Sequence, residues 1–261
     1  MDTQTIEGVI SALDQAPKEI YSHRIILEPV KIFYRERKYG LSESLKECSE
    51  SGYNPLFMPE LAKAKSKANR DSILWKEWFL TPSIKATGRT KSGSPIVVYA
   101  HVPNYFSNSE NIRSAIEGDK LINGAGPMPK EEFYRLLDLQ DNKRVFVVDH
   151  DKLKNSTNRK ISVEEALAHP QTIPFLGGEQ IAADYLIKHK EVYGENNIGV
   201  WHTDDLQEEP MGRVLVVGSS YNSGLNGFNG LGSDGRVFGV APEAQNDEKN
   251  SASENLEKKL I

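Results

Sequence analysis

Two extended runs, "SIKATGRT" (residues 83–90) and "PIVVYAHV" (95–102), flank the tetrapeptide "KSGS", and this arrangement restricts the fold more than any other stretch. A Ser-Gly turn between two β-rich runs closes an antiparallel hairpin. Alternation along the second run sends Ile96, Val98, Ala100 and Val102 to one face of a sheet and Val97, Tyr99 and His101 to the other.

Around this hairpin the periodicity assigns further elements. Ile6, Val9, Ile10 and Leu13 stand at helical spacing, giving an amphipathic helix over 4–15. "HRIILEPVKIFYRERKYG" is β-rich but broken at Pro29, so it reads as two short extended pieces, the first at a sheet edge. "SESLKECSE" is a short helix. "PELAKAKSKANR" is helical by propensity and leads into "SILWKEWFL", whose Trp75, Trp78 and Phe79 read as core. A helix near 110–117 has Ser109 as N-cap and Gly118 as its stop, and a longer one follows Pro129. "RVFVVDHD" is a strand. Ser162 and Glu165 form a capping box, and "GEQIAADYLIKHKEVYG" is a helix ending at Gly194. "NIGVW", "GRVLVVG" and "GRVFGV" are strands.

The hairpin and the closing strands argue against a wholly parallel, doubly wound sheet, so the expected class is α+β with a mixed, largely antiparallel sheet and packed helices. We expect a mostly helical N-terminal region over 1–82, a mixed-sheet domain over 83–241 and a polar, disordered tail over 242–261. At 261 residues the chain can bury a sizeable core. Its only cysteine, Cys48, cannot form an internal disulfide. With no basic and apolar leader and no apolar run of membrane-spanning length, the expected location is the cytoplasm, without a membrane partner. Residues 1–91 carry 15 Lys+Arg against 12 Asp+Glu in a chain of net charge -5, so a slightly basic N-terminal third meets an acidic remainder.

"GLGSDGRV" (230–237) has the spacing G-x-G-x-x-G-x-V of a phosphate-covering loop. A dinucleotide site needs a helix after those glycines, but "RVFGVAP" follows, a strand ending at proline. No Lys-Ser/Thr follows for a Walker loop, and the 24 residues after Val237 leave no room for a kinase catalytic loop. The stretch therefore reads as a long Gly/Asn loop between two strands, in which Asn-Gly and Asp-Gly pairs supply turns, with residues 219–234 acting as a lid.

Candidate chemistry gathers where strands end: His101 after "VVYA", Asp149 and His150 after "FVV", His202 and Asp204 after "GVW". If those strands ran parallel and adjacent, imidazoles and carboxylates would converge, a donor set suited to a divalent metal such as Zn, Mn or Fe that activates water. The leading expectation is a hydrolase in which His101, Asp149 and His202 hold the metal or orient water while His150 or Asp204 exchanges the proton, acting on a small-molecule substrate. The alternative is a non-enzymatic module for nucleic-acid binding or protein assembly. It would use Lys31, Arg35, Arg37 and Lys38 interleaved with Phe33, Tyr34 and Tyr39, aided by Lys63, Lys65, Lys67 and Arg70.

Overall fold

The computed structural model describes residues 29–218 and 224–242. The 4–15 helix, the extended piece before Pro29 and all but the start of the 242–261 tail lie outside the described residues. The second extended piece is strand β1 (Val30–Arg35), followed by helix α1 (Gly40–Glu50), strand β2 (Asn54–Pro55) and helix α2 (Met58–Lys67). The apolar run after it divides in two. Helix α3 (Ile73–Lys76), capped by the Ser72 hydroxyl, ends before Glu77, and Phe79 already opens strand β3 (Phe79–Arg89). Strand β4 (Pro95–Ala100) returns across the Ser-Gly turn with Ile84 opposite Ala100 and Arg89 opposite Pro95, so the hairpin forms where its pattern placed it.

Helix α4 (Ser109–Glu117) stops at Gly118, but its N-cap is Asn108 rather than Ser109, because the Asn108 side chain accepts the Glu110 N–H at 3.0 Å. Strand β5 (Gly126–Pro127), helix α5 (Lys130–Asp138) and strand β6 (Val145–Asp149) follow, then helix α6 (His150–Lys154) and strand β7 (Lys160–Ser162). The Ser162–Glu165 capping box closes in both directions at the start of helix α7 (Val163–Ala168). Helices α8 (Thr172–Leu176) and α9 (Glu179–Tyr193) lead to strands β8 (Asn197–His202), β9 (Met211–Val217), β10 (Gly224–Gly227) and β11 (Gly235–Val240). Strand β10 corrects the reading of 219–234 as irregular throughout. Two of its four residues are glycine, so nothing in its side chains announces a strand; backbone pairing to β8 and β9 makes it one.

The strands form one mixed sheet in the order β1-β11-β3-β9-β10-β8-β7, with β4 pairing both β3 and β6. Only the β10/β8 and β11/β3 pairs among the described strands are parallel, so the expected α+β class with a largely antiparallel sheet holds. A core covers each face. Leu215 and Val217 of β9, with Val97 and Tyr99 of β4, pack under α2 and α9. Val214 and Val216, with Ile96, Val98 and Ala100, pack under α1, α4 and α5 on the other side. Strand β3 lies at the centre despite Pro82, because its pairing to β9 shifts register between Leu80 and Ile84. The proline occupies that irregularity, where no ladder N–H is required, and its carbonyl accepts from Asn104 at 2.8 Å.

Candidate ligand-binding cleft

An open cleft of about 330 Å³ lies where β3, β9, β10 and the start of β11 come together. Its floor is sheet: Val216 of β9 is in register with Leu80 of β3 on one side and with Asn226 of β10 on the other, and Gly218 continues the strand end. Trp78, one residue before β3, lines it together with Asn229, Ser233 and Asp234 from the turn between β10 and β11.

These lining residues are held by their neighbours. Trp78 is only half-buried, but the Arg236 guanidinium lies 5.1 Å from its ring centroid and 4.6 Å from that of Tyr34, and the Tyr34 and Trp78 rings meet edge to face at 6.4 Å. Arg236 is also ion-paired with Glu77. In the turn between β10 and β11 the Ser233 hydroxyl donates to the Gly230 carbonyl at 2.9 Å, and the Asp234 carboxylate accepts the N–H of Arg37. Gly235 passes so close to Gly40 that a Cβ there would lie 2.1 Å from the Gly40 carbonyl oxygen, which locks the base of this turn to α1. Asn226 accepts the Phe228 N–H at 3.1 Å. The cleft thus gathers an indole with amide, hydroxyl and carboxylate groups beside the sheet floor.

The residues singled out at strand ends sit elsewhere. Because β4 and β6 run antiparallel, with Ile96 opposite Asp149 and Ala100 opposite Val145, the ends bearing His101 and Asp149 point in opposite directions. Five strand positions separate them, about 16 Å at ~3.3 Å per residue. His101 is buried between the Ser83 hydroxyl (2.9 Å) and the Pro174 carbonyl (2.8 Å), and burial pushes its imidazole down to about 4 despite the hydrogen bond to that carbonyl. Asp149 caps α6 through the Lys152 N–H at 2.7 Å. His202 contacts the Ser156 hydroxyl at 3.2 Å, and burial, then the charge of Lys85, pushes it to about 4. The structure does bring His150 and Asp204 together, at 2.9 Å, with Asp151 on the other ring nitrogen at 3.0 Å and Lys154 on Asp204 at 2.9 Å. Among the described residues no group of three or more His, Cys, Asp or Glu side chains is placed to hold a metal ion, so the expectation of a metal on His101, Asp149 and His202 is corrected.

The basic N-terminal set is also put to structural use. Lys65 is fully buried with its ammonium 4.7 Å from the Trp75 ring centroid, and Arg35 pairs with Glu47 at 2.6 Å. Sequence reasoning missed Trp78, assigned to the core, and missed Asn226, Asn229, Ser233 and Asp234 as a group. The available signal was the density of Asn, Ser and Asp in "LNGFNGLGSDG", which also serves turns.

The chain belongs to the C-type lectin fold family: a solved structure, described as the accommodation of massive sequence variation in Nanoarchaeota by the C-type lectin fold, is 54% identical to it with a TM-score of 0.76, over 83% of this chain and 100% of that one. No protein-family model and no curated protein matches the chain. Membership of this fold family overturns the hydrolase expectation and lends the nucleic-acid alternative no support. No helix among the described residues is long and apolar enough to cross a membrane.

Proposed function

We propose that the chain is a non-enzymatic recognition module that binds a hydroxyl-rich ligand of the carbohydrate class in the cleft beside Trp78. The observation that carries this reading is that one cleft is lined both by an indole held by Arg236 and by amide, hydroxyl and carboxylate side chains. A sugar ring offers a C–H face that packs on an aromatic surface and hydroxyls that both donate and accept. Asn226, Asn229, Ser233 and Asp234 supply the matching acceptors and donors. A cleft of about 330 Å³ is at the small end of ligand sites, the size for one or two sugar rings. The lectin-type fold of the nanoarchaeal relative points the same way.

An array of mannose-, galactose- and N-acetylglucosamine-terminated oligosaccharides tests the proposal. Binding of the wild-type protein to one terminal-sugar class, lost in Trp78→Ala, is expected. An array with no bound glycan overturns it.

A further inference from the structure

Resting on the reading of the cleft as a ligand site, we propose that Arg213 is its positioning residue: a buried guanidinium that ties two loop carbonyls together and so fixes the wall bearing Asn229, Ser233 and Asp234. Arg213 lies in β9, in register with Lys85 of the central strand β3, and both side chains are fully buried. Its Nε and Nη2 donate to the two oxygens of Asp205, each at 2.7 Å. Asp205 also accepts from Lys85 at 3.1 Å and from the Thr203 hydroxyl at 2.9 Å.

Two cations around one carboxylate leave a surplus positive charge inside the protein, and such a charge needs compensating dipoles. Backbone carbonyls supply them. Lys85 donates to the Thr203 carbonyl, and Arg213 donates from Nη1 to the Phe228 carbonyl and from Nη2 to the Asn123 carbonyl, both at 2.7 Å. Three separate loops therefore converge on one buried ionic centre. Neither the 119–125 loop nor the 228–234 loop can swing away without stripping an acceptor from it.

The two loops are joined to each other as well. The Leu231 N–H donates to the Gly124 carbonyl at 2.8 Å, and the backbones touch at Gly124 and Gly230, where a Cβ on Gly124 would lie 2.8 Å from the Gly230 Cα. Gly124 has a φ of 86°, which also favours glycine. Within these two loops Arg213 holds only backbone, so the Asn123 and Phe228 side chains, both solvent-exposed, take no part in the clamp.

Amide hydrogen exchange together with binding to the oligosaccharide array tests the proposal on Arg213→Lys, which keeps the charge but cannot reach both carbonyls. A second variant, Gly124→Ala, forces the loops apart at Gly230 and so draws the Asn123 and Phe228 carbonyls from the guanidinium, while leaving the Arg213–Asp205 pair in place. We expect exchange to rise at least tenfold at Ile122, Ala125 and Leu231 in both variants, with unchanged protection across the Ile84–Ala100 pairing, and array binding to fall at least tenfold although the hairpin stays folded. Should Arg213→Lys fail to fold, Gly124→Ala decides alone. Unchanged loop exchange in a folded Arg213→Lys, or full array binding in a Gly124→Ala protein whose loops have loosened, overturns the assignment. A wild-type protein that binds no glycan would sink the ligand reading, whereas loop exchange still decides whether Arg213 holds the wall.

Discussion

Arg236 and Trp78, 158 positions apart in the chain, stack with the guanidinium 5.1 Å from the indole centroid, and this contact sets the orientation of the cleft's aromatic wall. The same guanidinium covers Tyr34 of β1, so a strand at the sheet edge supports a residue at the cleft. Arg236→Ala should cost about 1 kcal/mol of stability, the scale of a partly exposed cation–π contact, and should weaken glycan binding several-fold by freeing the indole. Arg236→Lys, lacking the planar face, should recover stability better than binding. Denaturant unfolding and array binding on the two variants check both points.

The buried Lys65 makes stability depend on pH. Burial pushes its ammonium down to about 7 from the ordinary 10.5. The unfolded chain therefore holds a proton between those values that the folded chain lacks, and stability falls as pH drops from 10.5 to 7, by up to about 1.4 kcal/mol per pH unit. Below 7 both states are protonated and this contribution is flat. His189, pushed to about 4 by burial and by the charges of Lys65 and Lys160, removes further stability as pH falls from 6.5 to 4. Urea unfolding from pH 6 to 10 should show the upper slope in the wild type and a much shallower one in Lys65→Met.

Asp204 anchors the loop after β8 to α6 through His150 and Lys154. Burial raises its carboxyl, but the hydrogen bonds from Lys154 and His150 outweigh this and hold it below the usual carboxylate range. Its contribution is thus present above the ordinary carboxyl value and lost as pH falls below it. At 40% side-chain exposure the clasp is screened, so Asp204→Asn should cost about 0.5–1 kcal/mol and no more. Thermal unfolding at pH 7 and pH 3 measures it: the wild-type advantage over the variant should shrink at the lower pH.

Gly235 and Gly40 meet backbone to backbone, and a methyl on either would overlap a carbonyl. Gly235→Ala should therefore destabilise by about 1–3 kcal/mol or more, and should disturb Asp234 next to it. By contrast Gly93→Ala, whose Cβ would meet nothing within 4 Å, should register only the strain of its φ of 90°. Chemical denaturation of the pair separates the two causes.

Much of the architecture is legible where local chemistry decides it. The Ser-Gly hairpin, the Ser162–Glu165 capping box and the Gly194 helix stop follow from alternation, capping and positive φ, and the structure has all three. What could not be read depends on pairing between distant segments. β10 is two glycines, a leucine and an asparagine, and only its neighbours make it a strand. His101 and Asp149 read as convergent because both follow apolar strands, and only the antiparallel pairing of β4 with β6 shows that they point apart. Trp78 shares an apolar run with Trp75 and Phe79, yet one residue separates buried from half-buried as the chain passes from helix to strand.

Calorimetric titration of the tightest-binding array oligosaccharide into wild-type, Trp78→Ala and Asn226→Ala proteins tests the central claim most directly. We expect both substitutions to lower affinity at least tenfold, a loss of about 1.4 kcal/mol or more, in variants that remain folded. Wild-type affinity retained in both variants would place the ligand outside the cleft and contradict the account.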